Sequence, residues 1–390
     1  MRQRTSFLVK AVKICLIHPF PITDGGSERA LEGFAKGLHE LGHIVTIGAV
    51  WISKNNVRRL ERYGNLLYLE ETERNEQSTP ATRSNILIKH GRDMFFGTVS
   101  RKLLKLFHKY EKALRSCEKA LLVADSGFDA MVYAKRKGLF DSVGWWCQAI
   151  LQIHPILTTV RSYHGRAFNV LLEIASSLTP YLMRRLRAIE NLDIVLSCSK
   201  WQASLLSYMT GCDVQGVVYP PVDTEEFKPS KKRGQRENYC LSVGSSRDIR
   251  FQDVRKVAES IKVVRCGSEK IKNTLNLGHV SFDRLIELYS KAILTLYPTL
   301  LEQFGYVPVE SMACGTPVLT YAWQGPGETV EDGRTGWLAY STSEFRRKAI
   351  RLWKDGYDEK MSKNCRERAL KNFSIEVSSK KLVDLLEKYA

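Results

Sequence analysis

Short apolar runs alternate with amphipathic stretches along nearly the whole chain, and the spacing in each predicts an element. Residues 13–17 have strand composition. A glycine-bearing loop follows, then Ala30, Leu31, Phe34, Leu38 and Leu41 recur at helical spacing until Gly42, and 43–50 reads as the next strand. The pattern continues with strand composition at 121–124, 142–146, 193–197 and 216–219, separated by helical stretches such as 167–189. Pro220 and Pro221 stop this first alternation, and 229–237 is a hydrophilic connector. A second alternation starts at 239–243 and runs through 261–265, a helix around 283–289 and a strand at 293–297. It then reaches a helix at 307–313, which Gly315 ends before a strand resumes at Val318 and Leu319. Val377, Leu382, Leu385 and Leu386 mark a last helix. Alternation of this kind predicts an α/β protein of two doubly wound, Rossmann-like domains facing each other across a cleft, with the boundary at 222–236.

Two stretches stand out from the alternation. Residues 70–85 are polar throughout and read as a surface loop. Residues 92–119 are strongly amphipathic: Leu103, Leu106, Phe107, Tyr110, Leu114 and Cys117 share one helical face, while Arg101, Lys102, Lys105, Lys109, Lys112 and Lys119 lie mostly off it. Met94, Phe95 and Phe96 stand just ahead as candidate insertion residues. Such a segment fits docking on an anionic membrane surface, each cation contributing on the order of 1 kcal/mol near it. It fits equally a helix packed on its own sheet with a solvated basic back.

Composition narrows little further. The 390 residues are 44% hydrophobic and 26% charged, the profile of a globular protein long enough for two cores. No run is long and apolar enough to suggest a membrane span, and residues 1–10 do not read as a secretory signal. The nine cysteines have no metal-ligand spacing and fit reduced core positions in a cytoplasmic protein. The outlier is a formal charge of +17, compatible with an anionic membrane, nucleic acid, an anionic substrate or a lysine-rich surface. Nucleic acid is not an expected partner, because the basic residues are not interleaved with stacking aromatics.

Candidate chemistry concentrates at 298–320. A strand, a loop and a helix start in succession aim the backbone N–H groups of Phe304, Gly305 and Tyr306 at the carboxyl edge of a parallel sheet, where an anion can sit. Glu302 and Glu310 flank this opening, and the set suits a ligand with a phosphate at one end and hydroxyls at the other. Arg247 and Arg250 follow the strand at 239–243 and have the reach to pair with phosphate oxygens, or are solvated surface charges. Gly25 and Gly26, after the first strand, permit close approach of a ligand or simply make a tight turn. His154 follows a strand beside Pro155, a position open to a structural or a substrate-touching role.

Glu302 and Glu310, in the context Leu-Glu-Gln-Phe-Gly-Tyr-Val-Pro-Val-Glu-Ser-Met-Ala-Cys-Gly-Thr-Pro-Val, resemble the signature of the retaining GT-B glycosyltransferases of the glycosyltransferase group 1 family. The Gly25-Gly26 loop, 218–224, Gly325-Pro326-Gly327-Glu328, Gly333-Arg334-Thr335-Gly336 and Asn372-Phe373-Ser374 extend the resemblance over nearly the whole chain. It is similar in particular to lipid-linked-oligosaccharide and phosphatidylinositol mannosyltransferases. The resemblance implies an acceptor-binding domain at 1–222, a nucleotide-sugar-binding domain at 223–373, and a helix at 374–390 crossing back to the first. It implies catalytic roles for Glu302, His154 and Arg250, and donor contacts from Gly25, Gly26, Arg247, Arg250, Phe304, Gly305, Tyr306 and Glu310. Glu302 lies toward the sugar and Glu310 toward the ribose. The chain departs from the family after Gly244, where Ser245 and the close Arg247/Arg250 pair replace an arginine and a later lysine.

The expected activity is therefore transfer of a hexose, with retention, from a nucleotide sugar to a lipid-linked glycan at a membrane surface. GDP-mannose is the leading donor, with UDP- and ADP-sugars as alternatives. No cofactor and no metal are expected, since the chain has no Asp-x-Asp pair and positive side chains would offset the leaving diphosphate. The expected location is the cytoplasm, at the cytoplasmic face of a membrane. The competing readings are a soluble transferase acting on a small molecule or protein-linked glycan, and a non-catalytic nucleotide-sugar binder.

Overall fold

A computed structural model of the chain describes residues 11–22, 25–72, 98–148, 187–230, 237–244, 250–299 and 302–389. The chain divides into two compact units, one of Met1–Cys198, Gln202–Val218 and Ser379–Ala390, the other of Ser199–Trp201 and Tyr219–Ser378.

In the first unit, β1 (Lys13–Ile17), β2 (Ile44–Ser53), β3 (Asn65–Thr72), β4 (Lys119–Leu122), β5 (Ser142–Cys147), β6 (Ile194–Ser197) and β7 (Gly216–Val217) form one parallel sheet in the order β3-β2-β1-β4-β5-β6-β7. The direction of winding reverses between β1 and β4, which is where a doubly wound sheet opens a crevice. Helix α1 (Gly26–Glu40) turns Ala30, Leu31, Phe34 and Leu38 inward, each fully buried. Glu28 in its first turn and His39 in its last complement the helix dipole. Tandem tryptophans anchor the core. The Trp145 indole donates to the Ala124 carbonyl and that of Trp146 to the Val218 carbonyl, both at 2.9 Å, so both bury apolar bulk without orphaning a donor.

The basic segment is resolved by burial. Within helix α2 (Thr98–Lys109), Leu103 and Leu106 are fully buried and Phe107 is 3% exposed, all in the core of the first unit. Lys102 lies 3.7 Å over the Trp51 ring and 3.0 Å from Glu70, and Lys109 reaches the Tyr68 carbonyl. The apolar face is thus covered by the protein's own core. Residues 92–97 lie outside the described residues.

In the second unit, β8 (Cys240–Val243), β9 (Val263–Cys266), β10 (Leu275–Gly278), β11 (Leu294–Tyr297), β12 (Val318–Tyr321) and β13 (Gly336–Ala339) form a parallel sheet ordered β10-β9-β8-β11-β12-β13. Its reversal lies between β8 and β11. The α/β architecture of two Rossmann-like units is as the alternation implies. Strands β3, β10 and β13 were not anticipated. All three lie at sheet edges; β3 and β10 carry mixed residues because no continuous apolar run is required there, and β13 is a four-residue stretch that opens on a turn glycine.

Candidate functional site

The site grows from the switch point of the second sheet. Strand β11 ends at Tyr297, and the carbonyl of Pro298, the next residue, accepts the Arg250 N–H at 2.7 Å. This bond ties the chain arriving from β8 to the chain leaving β11, the two neighbours between which the winding reverses. Arg250 then caps helix α3 (Phe251–Ala258). Its Nε lies 3.0 Å from Asp253, a carboxylate only 2% exposed, while the guanidinium remains about one-third exposed. Asp253 also accepts the Tyr321 hydroxyl at 2.7 Å. Burial, and the carboxylate that its hydroxyl meets, push that phenol up to about 12. Arg250 is therefore a cation held at its root by a buried acid.

Glu302 organises the loop beyond β11. Its Oε1 accepts the N–H groups of Gln303 at 3.1 Å and Phe304 at 3.5 Å, and its Oε2 accepts the Tyr297 hydroxyl at 3.4 Å. The chain then turns at Gly305, with φ of 86°, into helix α4 (Tyr306–Ala313). A Cβ at Gly305 would lie 3.1 Å from both Pro326 Cγ and Tyr297 Cε1, so left-handed backbone and close packing both select glycine here. Phe304 is buried, its ring packed against Tyr219, Tyr306 and Phe373. It therefore fixes the loop with its side chain and leaves ligand contact to backbone. Glu310, one turn into α4, is 3% exposed and accepts the Tyr289 hydroxyl at 2.9 Å.

Gln324 was not singled out in the sequence, yet it joins the two loops. Its Oε1 accepts the Glu302 N–H at 2.7 Å, and its Nε2 donates to the Thr299 carbonyl at 2.6 Å and hydroxyl at 3.2 Å. Its φ is 69°, a left-handed conformation rare outside glycine, held where helix α5 (Gly325–Thr329) begins. Gly325 follows because a Cβ there would sit 2.0 Å from the Gln303 carbonyl oxygen. We expect Gln324→Ala to lose about 2–3 kcal/mol in urea unfolding, at about 1 kcal/mol per hydrogen bond. Gln324→Gly should be the milder variant by about 1 kcal/mol because it removes the left-handed cost. Equal losses in the two would show that the backbone is unstrained.

Arg265 is the second residue the sequence left in the background, read only as the end of a strand. Its guanidinium is fully buried and donates to the carbonyls of Ser242, Gly244 and Cys266, with Phe251 5.4 Å away. It thereby braces the carboxyl ends of β8 and β9 at Gly244. A lone arginine inside an apolar strand is the signal that could have found it.

Gly25 and Gly26 lie in the first unit, where Gly25 precedes α1 with extended backbone and no side-chain cap. His154 and Arg247 lie outside the described residues. The second unit thus brings together Arg250, Glu302, Phe304, Gly305, Tyr306 and Glu310 around one sheet edge.

Residues 265–372 match the family model of the glycosyl transferases group 1. The chain carries a group 1 glycosyltransferase domain. Among relatives of the chain, the GDP-Man:Man(3)GlcNAc(2)-PP-Dol alpha-1,2-mannosyltransferase of Mus musculus is 24% identical over 394 residues, spanning 85% of this chain and 77% of the mouse protein. The D-inositol 3-phosphate glycosyltransferase 2 of Catenulispora acidiphila is 27% identical over 243 residues, 51% of this chain. That alignment covers only 56% of the Catenulispora protein. Among solved structures, Anabaena HepE in complex with UDP superposes with a TM-score of 0.70 at 15% identity, covering 97% of this chain and 100% of HepE. The fold is GT-B.

Proposed function

We propose that this glycosyltransferase moves a hexose, mannose from GDP-mannose, to a lipid-linked glycan at a membrane surface, with retention of anomeric configuration and without a metal. The observation that carries the reading is the joining of the β8 and β11 loops by Arg250 N–H and Pro298, which sets a cation and Glu302 at one switch point. The mouse relative, whose name specifies a GDP-Man donor and a dolichol-linked acceptor, supports the choice of sugar and acceptor.

In this reading Arg250, with Arg247, offsets the charge of the departing diphosphate. The backbone at Phe304, Gly305 and Tyr306 meets the same group, as do Gly25 and Gly26 from their own loop. Glu310 takes the ribose hydroxyls. Glu302 and His154 face the transferred sugar. The bond from the sugar C1 to the phosphate oxygen breaks as the bond from C1 to the acceptor oxygen forms on the same face, and the acceptor's proton passes to the departing phosphate oxygen. No protein nucleophile is required. The chain has no Asp-x-Asp pair, so cationic side chains and backbone dipoles do the work of neutralisation.

One observation favours a soluble enzyme acting on a small molecule or protein-linked glycan instead: the apolar face of α2 is buried in the protein's own core. Among the described residues, no helix is long and apolar enough to cross a membrane. Two measurements test the proposal. Turnover and thermal stabilisation are compared across GDP-, UDP- and ADP-sugars, with GDP-mannose expected to lead both; preference for another donor would overturn that choice. Flotation with anionic liposomes should weaken with salt and with Arg101→Glu/Lys105→Glu, and absence of flotation at low salt would leave the soluble reading.

A further inference from the structure

His18 follows directly on β1, beside the reversal between β1 and β4, so it holds in the first sheet the position that the chain leaving β8 at Gly244 holds in the second. Its backbone N–H donates to the Gly48 carbonyl at 3.0 Å, which fixes the residue against β2. The side chain is 3% exposed. Its Nδ1 accepts the Phe20 N–H at 3.2 Å, which requires a lone pair there and so places the proton of the neutral ring on Nε2. Among the described residues Nε2 has no partner. Burial lowers the imidazole's pKa, keeping the ring neutral, while the nearby Glu28 carboxylate pulls in the opposite sense. A buried N–H donor left without an acceptor is destabilising, and folded proteins keep few of them.

Glu28 stands in the first turn of α1, two residues after Gly26, and accepts the Ser27 hydroxyl at 2.9 Å. A carboxylate whose charge is felt at the imidazole disfavours an anionic ligand there. The pair instead matches a hydroxyl group, whose oxygen accepts from the imidazole while its hydrogen is donated to a carboxylate with capacity for several bonds.

We propose that His18 is a substrate-binding residue of this glycosyltransferase, its Nε2–H donating to a sugar hydroxyl that Glu28 accepts from. The proposal rests on the reading of the protein as a sugar transferase and adds a ligand-binding pair to it. In this role His18 holds the sugar rather than the diphosphate.

Two near-isosteric variants separate this role from a structural one. In His18→Asn the side chain keeps an acceptor near Nδ1 for the Phe20 N–H and loses the distal donor. In His18→Gln an amide donor is restored near Nε2 and the local acceptor is compromised. The Asn variant should unfold at the parent's temperature, with kcat/KM about 30-fold lower. The Gln variant should recover most of that loss while unfolding earlier. A structural imidazole gives the reverse order, and an Asn variant with parent-level kcat/KM overturns the proposal. Should the parent turn over no nucleotide sugar, the transfer reading itself falls, and thermal stabilisation by methyl α-mannoside becomes the arbiter. Stabilisation of the parent that the Asn variant lacks then supports the pair; equal stabilisation, or none in either protein, overturns it.

Discussion

Glu302→Gln should lower kcat by about 10²- to 10³-fold while leaving the unfolding temperature close to the parent's. The amide keeps an oxygen for the N–H groups of Gln303 and Phe304, so the loop retains its internal bonds. What disappears is the negative charge placed between the Tyr297 hydroxyl and the turn at Gly305. In the proposed reaction that charge faces positive character developing at the sugar's anomeric carbon, so its loss appears in kcat more than in donor KM. Glu302→Ala serves as the contrast: it also removes the loop's acceptor and should destabilise as well as inactivate. A Glu302→Gln enzyme with parent kcat would remove Glu302 from the chemistry and leave it as a loop-closing residue.

Arg250→Met should be the second large effect, about 10²- to 10³-fold in kcat/KM, because a methionine of similar length cannot stabilise the departing diphosphate. It also leaves the buried Asp253 with one partner fewer, at a stability cost of about 1–2 kcal/mol given the arginine's partial exposure. Adding Asp253→Asn separates the two consequences. The amide still accepts the Tyr321 hydroxyl without a buried negative charge, so the double variant should regain stability while its activity stays low. Recovery of activity along with stability would show that Arg250 serves the fold alone.

The sequence was most informative where burial is two-sided. Interior strands such as β5 and β11 are continuous apolar runs flanked by turn residues, and their alternation with amphipathic stretches specifies two doubly wound sheets. Edge strands β3 and β10 are half solvated, carry mixed residues such as Glu70 and Asn276, and merge with loops in any reading of the pattern; β13, Gly-Trp-Leu-Ala, is only four residues long and opens on a glycine that reads as part of a turn. Amphipathicity located the helix over Leu103 and Leu106 but left open what its apolar face meets; the buried side chains assign that face to the protein's own core.

The site divides along the same line. Glu302 and Gly305 were legible because an acid and a glycine between a strand end and a helix start carry a local meaning. Gln324 was not, since its importance lies in a left-handed backbone and in hydrogen bonds to Thr299 and Glu302, more than twenty positions earlier. Arg265 looked like one charge at a strand end, and only the fold turns its guanidinium onto three carbonyls. His18 sat in plain view before the Gly25-Gly26 loop, but an orphaned Nε2 is a property of packing and has no sequence pattern.

The most direct test of the central claim is the anomeric configuration of the product, read by proton NMR after the protein has acted on GDP-α-mannose in the presence of EDTA. The account predicts an α-mannoside formed at a rate that EDTA leaves unchanged. A β-mannoside, or transfer that EDTA abolishes and a divalent metal restores, would contradict it.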